Sequence, residues 1–150
     1  MSALKESISE ATKDAMRARA KERLAALRLM NAEIKRVEVD TRKTLSDEDV
    51  LHILNRMLKQ RQDSVQQFEA AGREDLAAVE RQEIAVIRDF MPAPLSDADL
   101  EAEIDAAMLT SGASGPKDMG AVMAALRSRV QGRADMGQVS ARVKARLSGG

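Results

Sequence analysis

The side chains able to do chemistry in this sequence are few, and their spacing argues against an assembled catalytic centre. The single histidine, His52, follows Glu48 and Asp49 at helical distance, a pairing suited to acid–base work or to half of a metal site. No cysteine and no second histidine exist to complete such a site, so disulfides, thiolate nucleophiles and cysteine-ligated metals are excluded and zinc is not expected. His52 therefore reads as a plain helix residue. Ser64 lies in a long helical pattern rather than in a strained strand-to-helix elbow, which leaves serine–histidine catalysis without a nucleophile. The stretch "SGASGP" (Ser111–Pro116) has the glycines of a phosphate loop but no preceding strand, and its glycines read better as a hinge. No catalytic residue, metal or cofactor is expected.

The elements that would position any site are helices. Aromatics are nearly absent, β-branched residues never alternate cleanly, and Ala, Leu, Arg, Glu and Met dominate, so the expected fold is all-α. Two small helical domains are expected, an N-terminal one over residues 1–91 with about four helices and a C-terminal three-helix one over 95–150. The first two helices should span Ala3 to about Ala18 and about Ala20 to Val39. Ser46 with Asp49 resembles a capping box, opening a third helix that Gly72 stops. A fourth runs from Arg73 to Phe90 with Leu76, Val79, Ile84, Val86 and Ile87 inward. Pro92 and Pro94 make a short stiff linker. Ser96 and Asp99 open a fifth helix ending near Ser111, and two more follow, separated by Gly132.

Two charge patterns stand out. Arg61 falls in the apolar stripe of its helix and Glu83 in that of the next, at about 100° per residue. A charge buried alone is costly, so Arg61, with Arg28 on the second helix as a further candidate, should pair with Glu80 or Glu83; the alternative is a polar pocket. The second pattern is regional. Net charge is zero, yet from Gly112 onward seven basic residues face only Asp118 and Asp135, while the helix from Ser96 carries five acids and no base. Solvated faces, with the acidic helix packed near the basic tail, are the plainer reading; a basic binding surface is the sharper one.

The tail also repeats itself. At an offset of seventeen residues Asp118-Met119-Gly120 falls on Asp135-Met136-Gly137, Arg127 on Lys144 and Arg129 on Arg146. Each copy has an apolar stripe and beside it a stripe of small residues, Gly120, Ala124 and Ser128 in one and Gly137, Ala141 and Ala145 in the other. A helix glycine costs about 1 kcal/mol against alanine, so the stripes call for a close approach, by another helix or by a phosphate chain.

The segments "KERLAALRLMNAEIKRVEVD" (Lys21–Asp40), "RQDSVQQFEAAGREDLAAVERQEIAVIRDFMP" (Arg61–Pro92) and "SGPKDMGAVMAALRSRVQGRADMGQVSARVKARL" (Ser114–Leu147) together resemble the GatB/YqeY family, in its small stand-alone YqeY-like form. The resemblance implies an all-α protein whose last three helices are similar to the tail of the B subunit of the tRNA-dependent amidotransferase. That tail helps to hold tRNA, while the chemistry resides in a cradle domain that this chain lacks. The family label of carbon–nitrogen ligase with glutamine as amido donor would then describe the family more than this polypeptide. The resemblance places the tail's Lys-x-x-Gly element at Lys117 and Gly120 and its Gly-then-Asp element at Gly132 and Asp135. It makes Lys117, Arg127, Arg133 and Lys144 the expected phosphate contacts.

The expected function is thus a non-catalytic module that binds tRNA or accompanies an amidotransferase or another translation protein. The alternative is a helical protein-interaction scaffold. No apolar run approaches the roughly 20 residues of a membrane span, and Glu6, Glu10 and Asp14 argue against a mitochondrial leader, so a cytoplasmic protein is expected.

Overall fold

In the computed structural model, which describes residues 2–130 and 133–149, the chain forms seven α-helices, one 3-10 turn and, among the described residues, no strand. It divides into two compact units, Met1–Met91 and Pro92–Gly150. The expected separator Gly132 lies outside the described residues.

The first unit holds α1 (Ala3–Arg17), α2 (Lys21–Thr41), α3 (Asp47–Ala70) and α4 (Glu74–Arg88). Its core joins Ile8 of α1, Leu27, Met30 and Ile34 of α2, Val50, Leu54 and Met57 of α3, and Val86 and Ile87 of α4. Ends are fixed by side chains. Ser46 takes the Asp49 N–H at 3.2 Å, and Asp49 takes the Ser46 N–H at 3.0 Å, so both halves of the capping box form. Ser46→Ala is expected to cost about 1 kcal/mol, read as a lower urea midpoint at unchanged slope. Asp47 reaches across to α1, accepting from the Ser2 hydroxyl and, at 3.1 Å, from the Leu4 N–H. Gly72, at φ +71°, makes the left-handed turn that reverses α3 into α4. Val79 departs from the inward face expected for it. It shares a direction with Val86 but lies two turns nearer the Gly72 turn, and it is 54% exposed. Apolar spacing gives the direction of a side chain, not how far the neighbouring helices extend to cover it.

The second unit comprises α5 (Asp97–Ser111), a 3-10 turn (Pro116–Asp118), α6 (Met119–Val130) and α7 (Met136–Gly149). Leu100 and Ile104 of α5, Val122, Leu126 and Val130 of α6, and Val139, Val143 and Leu147 of α7 form one buried cluster. Pro92 and Pro94 belong to this unit rather than standing apart as a linker. The Leu95 N–H donates to the Arg133 carbonyl at 2.8 Å, and Arg133 Nε donates to the Ala93 carbonyl at 3.2 Å.

Candidate nucleic-acid interface

The apolar stripes of the two repeats face inward to the same cluster, which determines where everything else on those helices points. Residues two apart on a helix are about 200° apart, so the dibasic pairs Arg127/Arg129 and Lys144/Arg146 split between opposite sides. Arg129 and Arg146 turn to α5. Arg129 Nη1 lies 3.3 Å from Glu103, while Arg146 pairs with Glu101 at 3.1 Å and also with Asp105. Arg142 joins them, bonding to Asp97 and to Glu101, each at 2.9 Å. Asp105, and after it Glu101, raise the Arg146 guanidinium above the ordinary arginine value. Pairs this exposed contribute roughly 0–1 kcal/mol each. Their larger effect is to cancel three of the tail's seven positive charges against α5.

The other cations remain outward. Lys117, Arg127 and Lys144 are exposed, and none has an ion-pair partner among the described residues. Arg133 is half-buried and held by the Ala93 carbonyl, with its remaining N–H groups uncommitted by that bond.

Both small-residue stripes are also outward. Gly120, Ala124 and Ser128 on α6 are exposed, as are Gly137 and Ala141 on α7, while Ala145 continues the second stripe at the surface. Nothing lies within 4 Å of where a side chain on Gly120 would start. The close approach that these stripes permit is therefore not made by another helix of this chain among the described residues.

The two aspartates of the repeat anchor their helices in different ways. Asp135 takes the Gly137 N–H at 2.9 Å at the start of α7. Asp118 instead turns back on the loop before it, accepting from the N–H groups of Ser114 at 2.9 Å and Gly115 at 3.2 Å. Those two bonds, and secondarily the Lys117 charge, hold its carboxyl below the usual aspartate value. Because the folded state lowers this pKa, the stabilisation is present above the unfolded value of about 3.9 and is lost as pH falls through the folded one. Asp118→Ala is expected to speed amide exchange at Ser114 and Gly115 at neutral pH, with the difference from wild type shrinking in acid.

Elsewhere, Arg61 Nε donates to Glu83 at 2.8 Å, with the two side chains 15% and 17% exposed. Glu80 stays nearby without taking that bond, and burial first, then Glu83, raise its pKa against the pull of Arg61. Arg28 pairs with neither carboxylate. It lies one residue from Leu27, hence about 100° from the buried line, and is exposed. His52 is exposed on α3, and among the described residues no group of three or more His, Cys, Asp or Glu side chains is placed to hold a metal. No described helix is long and apolar enough to cross a membrane.

Residues 5–147 match the family described as Yqey-like protein. Among curated relatives, a Schizosaccharomyces pombe protein described as uncharacterised is 33% identical over 79 residues, covering 53% of this chain and 64% of that protein. A Candida glabrata protein named altered inheritance of mitochondria protein 41, mitochondrial, is 38% identical over 99 residues, covering 64% of this chain and 50% of that one. This chain thus spans less than two thirds of either relative.

Proposed function

The chain belongs to the YqeY-like family, and from that premise we propose that its second unit is a non-catalytic tRNA-binding module, acting alone or beside an amidotransferase or another translation protein. The observation that carries this reading is the sorting of charge on the repeated helices. Arg129, Arg142 and Arg146 are matched by α5, while Lys117, Arg127 and Lys144 are left on exposed faces beside small residues. Small side chains let a phosphate chain come close to the helix backbone, and long cations at the margin reach its oxygens. Arg133 stands beside them, its Nε held by the Ala93 carbonyl, and Gly120 marks the closest approach. Both phenylalanines, Phe68 and Phe90, precede this unit and no other aromatic exists, so recognition proceeds through RNA shape and backbone rather than base stacking.

Titration of the full protein with bulk tRNA tests the reading. Log affinity should fall linearly with log salt, the slope counting the phosphates neutralised. Absence of binding at low salt would sink it, and the small-residue faces, with Leu109 at 85% exposure on α5, would then suit a partner protein helix instead. A cytoplasmic site of action accompanies the proposal. Cell fractionation separates it from the mitochondrial setting that the Candida glabrata relative's name carries.

A further inference from the structure

A second feature of the molecule, in the first unit and independent of the tRNA reading, is an open cleft of about 530 Å³ between α1 and the C-terminal half of α2. Its lining comes from one stripe of α2 and one turn of α1. Asn31, Lys35 and Glu38 follow at spacings of four and three and so share a helix face, and Arg42, the left-handed residue (φ 54°) that caps α2, stands at its end. Lys5 and Ser9, one turn apart on α1, line the opposite wall, and Lys43 with Thr44 closes the end. Ile34, 1% exposed, supplies an apolar floor.

Four cations line this cleft against a single carboxylate, Glu38. Two of the four are held in place, Lys5 by Glu38 at 2.8 Å and Lys43 by Asp49 at 3.4 Å. The other two, Lys35 and Arg42, are exposed and have no ion-pair partner among the described residues. Unpaired Lys and Arg heads beside the Ser9 and Thr44 hydroxyls match the chemistry of a phosphate, whose oxygens accept from all of them, while the Asn31 amide on the same wall already donates to the Thr12 hydroxyl at 2.8 Å. The volume lies within the roughly 300–1,000 Å³ typical of sites for small organic ligands, so it leaves room for more than a bare anion.

We propose that the α1–α2 cleft binds a small organic molecule bearing a phosphate group. Lys35 and Arg42 hold the phosphate, Ser9 and Thr44 add hydroxyl donors, and the organic body lies over Ile34 with Glu38 accepting from its hydroxyls.

Amide-resolved NMR titration of the full protein with ribose 5-phosphate, inorganic phosphate and unphosphorylated ribose tests this. Ribose 5-phosphate should bind more tightly than either fragment, with saturable shifts confined to Ser9, Asn31, Lys35, Arg42 and Thr44. Lys35→Gln with Arg42→Gln should weaken it about tenfold or more while the remaining spectrum stays in place, both positions being exposed. Lys117→Gln should leave it unchanged. The proposal is overturned by shifts that never saturate, by shifts spread equally over both basic surfaces, or by equal response to phosphate and to the sugar phosphate. Binding of a 5′-phosphorylated trinucleotide without binding of the sugar phosphate would equally overturn a small-molecule site and assign the cleft to nucleic-acid ends.

Discussion

Arg61→Met is expected to lower the thermal midpoint of the first unit by roughly 10–20 °C. The basis is the 2.8 Å bond to Glu83 between side chains only 15% and 17% exposed. Breaking a fully buried pair from one side costs about 3–5 kcal/mol, because the remaining charge has no partner. Here the edges reach water, so about 2–3 kcal/mol is the fitting magnitude, and each kcal/mol shifts a unit of this size by about 4–8 °C. Glu80 sharpens the effect, since with Arg61 gone two neighbouring carboxylates face each other without a cation. The double variant Arg61→Met, Glu83→Met should recover most of the loss, because two apolar groups need no partner. Thermal unfolding followed by circular dichroism, with hydrogen exchange of α3 and α4 peptides, reads both. Equal losses in the single and double variants would show that packing of the arginine stem, not its charge, is what matters.

Glu80 provides the contrasting sign. Its pKa is raised by burial and by Glu83, so the folded state holds that proton more tightly than the unfolded chain. The corresponding stability is present below the unfolded value and is lost as pH rises through the folded value. Glu80→Gln should therefore stabilise the unit at neutral pH and lose that advantage in acid.

Reversing Lys117, Arg127 and Lys144 to glutamate is expected to reduce the steepness of the tRNA salt dependence by about 2–3, at roughly 0.7–0.9 for each phosphate no longer neutralised. Arg129→Gln should do much less, because its charge is already matched by Glu103 at 3.3 Å. Gly120→Leu separates shape from charge. Nothing lies within 4 Å of its Cβ position and the residue is exposed, so the variant should fold; because Gly120 is in the first turn of α6, helix propensity favours leucine by at most about 0.8 kcal/mol. If a phosphate chain approaches along this stripe, the variant gains stability and loses affinity. Unchanged affinity would move the binding face elsewhere.

Much of the scaffold could be read from local signals. Ser46 with Asp49, Gly72, Ser96 and the apolar stripes all act over one or two turns, and the structure uses each of them. Arg61 was visible for a related reason, since a charge within an apolar stripe has no solvent to turn to. The sorting of Arg127 from Arg129 was not visible, because it depends on the side from which α5 docks, and a helix's own sequence does not contain that. Val79 erred for a related cause, lying on a stretch left uncovered, whereas Arg28 stands about 100° from Leu27 on α2's own periodicity and was placed too near the buried line. The cleft was hidden by distance along the chain, its two walls lying more than twenty residues apart at Ser9 and Asn31.

The hydrogen bonds that tie Ala93 and Leu95 to Arg133 bear on where the molecule can be divided. A fragment beginning at Leu95 would discard the acceptor of the Arg133 side chain and leave the Leu95 bond at a frayed, newly charged amino terminus. Beginning at Pro92 keeps both, and because Pro92 lacks an amide hydrogen, the cut there sacrifices no backbone donor of that residue. The two prolines then serve as the first course of the second unit's wall rather than as the gap before it.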